Sequence, residues 1–360
     1  MEPIRVLVVE DSPTIRGHIV ELVEAAPGFE VLGEAGDGKR AIELCESLRP
    51  DVVTMDMMLP VMTGLAATEY IMAYRPTPIL IVSASTNRGE LFKTYDALAA
   101  GAVDVLEKPV GTEIGEEWGR RLLSALRVVS KVRVITHPRA KLGRFGPAWV
   151  VPGDSPKPET TPAAATRVVA IGASTGGPGA VLSILSSLPA DFPVPILLVI
   201  HIGDPFGAAM AEWLDALCPL PVRYARDGER LPDRGSVLMA PPDHHLAVHG
   251  GRLHLTRDAE RHSCRPSVDV LFETLARDAG PGVLACLLTG MGKDGAAGLL
   301  DVRRAGGTTV AQDEETSVVF GMPGEAVRLG AAGHVLPLPG IGPFLIRALG
   351  DRGRVGGDGR

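Results

Sequence analysis

Aromatic residues make up only 4% of this chain and cysteines number four. Cys45, Cys218, Cys264 and Cys286 are scattered and show no metal-ligand spacing. A disulfide framework is therefore not expected, and a reducing cytosol fits best. No apolar run approaches the length that spans a bilayer, so no direct membrane insertion is expected. The N-terminus has no basic region followed by a long apolar stretch, so no secretory signal is expected either. An excess of positive charge is missing too. The net charge of −7 argues against a general nucleic-acid binder. One stretch departs from this: Arg120, Arg121, Arg127, Lys131, Arg133, Arg139, Lys141 and Arg144 fall in a segment with no acid. It has few aromatics to stack bases and reads as a solvated helix end followed by a linker.

The chain has 360 residues, more than one ordinary core accommodates, and two domains are expected. Apolar runs at Val6–Val9, Val52–Met55, Ile79–Val82 and Val103–Leu106 alternate with amphipathic stretches such as Ser12–Ala25 and Gly38–Leu48. That rhythm predicts a parallel sheet covered on both faces. A Pro/Gly/Thr-rich segment without apolar period follows and reads as a linker. From Arg167 the rhythm resumes, with buried strands at Val168–Ile171, Ile196–Ile200 and Val283–Leu288. Within it, "GSVLMAPPDHHLAVHGGRLHL" carries a Gly-Gly hairpin signal. The fold class is α/β: two doubly wound parallel-sheet domains, the second with an added β-hairpin. The expected limits are 1–130, a linker at 131–166, 167–350, and a frayed tail at 351–360.

In an open parallel sheet the carboxyl ends of the strands converge on one crevice. In the first unit these ends carry Glu10 and Asp11, then Asp56, Ser83 and Lys108. Crowded carboxylates with open positions suit Mg²⁺. An Asp beside that ion can attack a phosphoryl donor, with Lys108 and Ser83 facing the new oxygens. The strings "VLVVEDSPTIR", "DVVTMDMMLPVMTGL", "ILIVSAS" and "GAVDVLEKP" resemble the receiver domain of two-component response regulators, whose fold is flavodoxin-like. The resemblance implies Asp56 as phosphoacceptor and Glu10, Asp11, Asp56 and the backbone of Met58 as Mg²⁺ ligands. The chain departs from the usual pattern at Leu59 and at Val105, where an aromatic residue is common.

The second unit opens on "RVVAIGASTGGPGAV". The form Gly172-x-Ser174-x-Gly176 is that of a nucleophile elbow. A phosphate cradle needs a loop lysine or G-x-G-x-x-G spacing, and neither is present. His201 follows the run Ile196–Ile200 as candidate base, and Asp294 in "LLTGMGKDGAAG" is the candidate orienting acid. The backbone N–H of Thr175 is a candidate oxyanion donor at a helix start. Asp243, Asp269 and Asp313 are rivals for the acid, and capping of the following helix is the plain alternative for Asp294. The order Ser, His, Asp differs from that of the α/β-hydrolases. His244, His245, His249, His254 and His262 read as a surface hairpin and loop rather than a metal site.

"IGASTGGPGA", "DGERLPDRGSVLMAPPDHHL", "RPSVDVLFETLA", "LLTGMGKDGAAGL" and "AQDEETSVVFGMPGEAV" resemble the catalytic domain of chemotaxis protein-glutamate methylesterases. That resemblance implies a Rossmann-like esterase domain with Ser174, His201 and Asp294 as triad, the N–H of Met291 as a second oxyanion donor, and no cofactor in the esterase site. The chain departs from the usual pattern at Ile200, Ile202 and Lys293. The implied activity is phosphorylation-activated demethylation of glutamate methyl esters, and deamidation of glutamines, on methyl-accepting chemoreceptors. The implied phosphodonor is a chemotaxis-type histidine kinase, the compartment cytoplasmic. Occlusion of the esterase site by the unphosphorylated receiver is the implied control. A binding-only adaptor and a nucleotide-binding output are the alternatives.

Overall fold

The computed structural model describes residues 2–84, 88–109, 115–132, 134, 167–202 and 206–350. Most of the expected linker and all of the expected tail lie outside the described residues, as do Arg133, Arg139, Lys141 and Arg144. The chain divides into two compact units, Met1–Pro152 and Gly153–Arg360.

The first unit runs β1 (Ile4–Val9), α1 (Pro13–Ala25), β2 (Phe29–Ala35), α2 (Gly38–Leu48), β3 (Val52–Met55), α3 (Gly64–Tyr74), β4 (Ile79–Ser83), α4 (Arg88–Ala99), β5 (Asp104–Glu107) and α5 (Glu116–Val129). Its sheet is parallel throughout, in the order β2-β1-β3-β4-β5. The central strands are apolar on both sides because helices cover both faces, and each buried Val, Leu or Ile stabilises by roughly 1.5–3 kcal/mol. Short polar caps turn strand into helix. Ser12 and Thr63 accept from the backbone N–H groups of Ile15 and Ala66, and Pro13 stands at the first helical position. These caps leave Glu10, Asp11 and Asp56 on short loops. The strand order reverses between β1 and β3, and a crevice opens there at the strands' carboxyl ends.

The second unit runs β6 (Val168–Ala173), α6 (Gly177–Ser186), β7 (Ile196–Ile200), α7 (Phe206–Leu217), β8 (Val222–Tyr224), β9 (Val237–Met239), β10 (His245–His249), β11 (Arg252–Thr256), α8 (Val268–Ala279), β12 (Val283–Leu287), α9 (Ala296–Arg304), β13 (Thr308–Gln312), α10 (Met322–Arg328), β14 (His334–Leu336) and α11 (Leu338–Gly350). Seven strands form one parallel sheet, ordered β14-β13-β12-β6-β7-β9-β8. Its order reverses between β6 and β12. One face packs on α8, α9 and α10 through Val268, Leu271, Phe272, Leu299, Val302 and Met322. On the rest of the unit α11 packs against α6.

The expected hairpin is present, but shorter than the sequence pattern suggested. β9 belongs to the main sheet, beside β7 and β8, and only β10 and β11 pair antiparallel. They join through Gly250 and Gly251, both at positive φ (58° and 68°), as a type I′ turn requires. The histidine reading needs a correction here. The hairpin is not all surface: Leu246, Val248 and Leu253 enter the core, and His245 is buried, with Nδ1 accepting from Ser267 N–H at 3.1 Å. Alternation puts His245 on the opposite face of β10 from Leu246 and Val248, and it is buried there because the segment after β11 covers it, with Ala259 O 3.2 Å from Nε2. Among the described residues no helix is long and apolar enough to cross a membrane.

Candidate functional site

The crevice of the first unit gathers the expected residues. Asp56 follows β3 and its N–H donates to Val9 O at 3.1 Å, so the acceptor loop is tied to β1. Glu10 and Asp56 are both buried, whereas Asp11 is exposed. Lys108 lies beyond β5, with its N–H on Ser83 O at 3.0 Å. Its Nζ stands 2.8 Å from Glu10 Oε2 and 3.0 Å from Asp56 Oδ2. Burial disfavours charge on Lys108, but Asp56 and Glu10 more than offset it and raise its pKa. Burial raises the pKa of Glu10, opposed by Lys108. Oxygens of Glu10, Asp11 and Asp56 lie within 4.8 Å of one another. Three carboxylates face one ammonium, and their hard oxygen donors fit Mg²⁺. Ser83 is buried at the end of β4, its hydroxyl on Ala84 O at 3.3 Å, and Met58 sits two residues beyond Asp56.

In the second unit Ser174 and His201 directly follow β6 and β7, and Asp294 stands in the loop after β12; the order reverses between β6 and β12. Ala173 pairs with Ile200, so Ser174 and His201 leave the sheet side by side, and His201 N–H donates to Ala173 O at 3.0 Å. His201 Nε2 meets Asp294 Oδ2 at 2.8 Å. The other ring nitrogen, Nδ1, faces Cys264 Sγ at 3.6 Å. Among the described residues no hydrogen bond joins Ser174 Oγ to the ring; such bonds commonly tighten only with substrate bound. Burial lowers the pKa of His201, but the bond to Asp294 and the neighbouring Cys264 reverse this and push it up to about 9. Burial raises the pKa of Asp294, but His201, Ser267 and the Val268 N–H hold it below its ordinary value.

Asp294 is indeed a cap, though of α8 rather than of the helix that follows it. Its carboxylate accepts from Val268 N–H (2.7 Å), Asp269 N–H (3.2 Å) and Ser267 Oγ (2.7 Å) as well as from His201. The rival acids are engaged elsewhere. Asp243 pairs with Arg265, Asp269 accepts from Gly298 N–H and contacts His262, and Asp313 accepts from Thr316.

The loop bearing Ser174 is held by a residue the sequence reading did not single out. Thr289, at the end of the β12 run, receives Ser174 N–H on its carbonyl at 3.0 Å. Its hydroxyl donates to Thr175 O at 3.0 Å and accepts from Val319 N–H at 2.9 Å. Gln312 Oε1 in turn accepts from Thr289 N–H at 2.9 Å. Helix α6 begins at Gly177, so Thr175 precedes its N-cap, Gly176. Met291 is exposed between Gly290 and Gly292. Gly290 admits the close approach: a Cβ there would stand 2.8 Å from Ser174 Cβ and 2.3 Å from Met322 Sδ.

Two family models match the chain: the response regulator receiver domain over residues 6–117 and CheB methylesterase over residues 169–345. Protein-glutamate methylesterase/protein-glutamine glutaminase 4 of Myxococcus xanthus is 44% identical over 359 residues, covering 98% of this chain and 99% of that one. The chain belongs to this methylesterase family. The protein-glutamate methylesterase/protein-glutamine glutaminase of Nitrosospira multiformis is likewise 44% identical, over 98% of this chain and 99% of its own. The crystallised CheB methylesterase catalytic domain of Thermotoga maritima is 38% identical, covers 51% of this chain and 99% of its own, and superposes with a TM-score of 0.49. Within this methylesterase family member, the receiver match spans the Asp56 crevice and the catalytic match spans Ser174, His201 and Asp294.

Proposed function

We propose that the chain is a phosphorylation-activated hydrolase of glutamate methyl esters, and of glutamine amides, on the cytoplasmic helices of methyl-accepting chemoreceptors. The domains we assign are 1–130 for the receiver, 131–166 for the linker, 167–350 for the esterase and 351–360 for the tail. The observation that carries the reading is the 2.8 Å His201–Asp294 bond beside the Ser174 loop. Ser174 Oγ attacks the γ-carbonyl carbon and gives its proton to His201, while Asp294 stabilises the imidazolium. The ester C–O bond breaks, His201 returns the proton, and methanol leaves; an amide releases ammonia by the same route. Water, deprotonated by His201, then frees the glutamate and Ser174. The N–H groups of Thr175 and Met291 stabilise the tetrahedral oxyanion.

In the receiver, Asp56 takes a phosphoryl group from a chemotaxis-type histidine kinase, and Lys108 and Ser83 answer the new oxygens. Glu10, Asp11, Asp56 and the Met58 backbone would hold Mg²⁺, which supplies positive charge against the phosphoryl oxygens. Ser174→Ala is expected to abolish methanol release from methylated receptor without lowering the melting temperature, and Asp56→Asn to abolish phosphoryl labelling. Near-normal turnover in the folded Ser174→Ala protein would overturn the assignment.

A further inference from the structure

Among the described residues the His201 ring has two hydrogen-bond partners, Asp294 and Cys264, and ester hydrolysis has no use for Cys264. A built turn brings it there. Arg261 and Cys264 exchange both backbone hydrogen bonds, at 3.1 and 2.9 Å. Between them His262 and Ser263 both take positive φ, 52° and 60°, a conformation that L side chains rarely adopt. The turn is anchored from outside. The Arg261 guanidinium grips Glu273 with two bonds of 2.7 Å, and His262 Nε2 contacts the buried Asp269 at 3.1 Å. The Cys264 thiol also reaches His262 O at 3.4 Å.

We propose that His201 Nδ1 and Cys264 Sγ form an inhibitory site for a soft divalent cation, zinc above all. Nitrogen and sulfur ligands at about 2.0 and 2.3 Å from a tetrahedral zinc stand about 3.5 Å apart. The observed separation is 3.6 Å. The far side of the ring is prepared as well. Metal-bound histidines usually give their other N–H to a carboxylate, and Nε2 already meets Asp294. Asp294 lies near the other two donors, but its oxygens are engaged by Ser267, Val268 and Asp269, so it acts from behind the ring. Water completes the coordination. The thiol proton leaves as the sulfur–metal bond forms. The same softness keeps this site apart from the all-oxygen crevice of the first unit.

A cation on Nδ1 occupies the lone pair that would otherwise take the Ser174 proton, so binding silences hydrolysis. That consequence depends on the esterase reading of His201, but the binding itself does not. The test uses the full chain stripped with a chelator and titrated anaerobically with Co²⁺, then Zn²⁺. A thiolate-to-cobalt charge-transfer band is expected at one equivalent, bleached by Zn²⁺, and retained in Cys218→Ser. Cys264→Ser should lack the band and lose zinc affinity by more than the roughly 10–100-fold that loss of an outer partner costs. Zinc should inhibit methanol release reversibly in the wild type, and should inhibit Cys264→Ser far less relative to its own chelator-treated rate. Absence of the band in the wild type, or its persistence in Cys264→Ser, overturns the site. Zinc binding with unaltered methanol release overturns the inhibitory role, while Ser174→Ala tests the esterase reading separately.

Discussion

At the scale of the residue, Asp294 does two jobs that pull in one direction. It bonds His201 and it caps α8, so it is tied into the core more tightly than the orienting role we propose for it needs. Replacement by Asn keeps the shape but favours the wrong imidazole tautomer. Asp294→Asn is expected to lower kcat on the order of 10⁴-fold. It should also cost about 1–3 kcal/mol in denaturant unfolding, because a buried bond set is left incomplete. The raised pKa of His201 sets the sign of a pH dependence. In the mechanism we propose, His201 must be neutral to take the Ser174 proton, so kcat/KM should climb between neutrality and about pH 9. In Asp294→Asn the residual rate should reach its plateau at lower pH, since the partner that raises the pKa has lost its charge. A profile flat from pH 6 to 9 would contradict this. His201 was legible as a strand-end residue and Asp294 as an acid in the Gly-rich loop after a strand. Cys264 was not, because its approach to His201 spans 63 residues and depends on a turn with no glycine to announce it.

At the scale of the element, the decisive feature is the junction of β6, β12 and the loop after β13. Thr289 fastens all three with a single hydroxyl and a single carbonyl. Thr289→Val keeps the volume and removes the hydroxyl bonds. It is expected to cost about 1 kcal/mol of stability and to lower kcat by up to about 100-fold through misplacement of Ser174, with KM little changed. Thr289→Ser should restore most of the rate. Equal kcat in Thr289→Val would mean that the loop holds its shape without that bond. The strands β1, β3, β4, β6, β7 and β12 could be read from apolar runs because they are largely buried, whereas the half-exposed β2 and the Thr-rich β13 could not. The three-residue strands β8, β9 and β14 could not, since so short a run carries no period and β9 lay inside an apparent hairpin. Thr289 was hidden for a related reason: a buried threonine at a strand end looks the same whether it packs or fastens.

At the scale of the whole molecule, two parallel sheets each bring their chemistry to the point where strand order reverses. Alternating β and α in the sequence foretold both sheets, and residues beyond the apolar runs foretold the groups gathered at the carboxyl end of each. Communication between the units is the remaining expectation. A fragment from Arg167 to Gly350 should release methanol faster than the unphosphorylated full chain, by the roughly 5–150-fold typical of a coupling free energy. Phosphorylation at Asp56 should close that gap, and Ser83→Ala should accept phosphate yet respond less, because Val105 leaves no aromatic residue to share the switch. Equal rates for fragment and unphosphorylated chain would mean that the receiver does not restrain the esterase. The double duty of Asp294 has an evolutionary corollary. Ser174 carries a hydroxyl on a loop and can be exchanged at little cost to folding, whereas Asp294 cannot be lost without loosening a helix. A lineage that abandons hydrolysis but keeps the fold will therefore shed the serine first, and its descendants will keep the carboxylate as a helix cap, the fossil of the former enzyme.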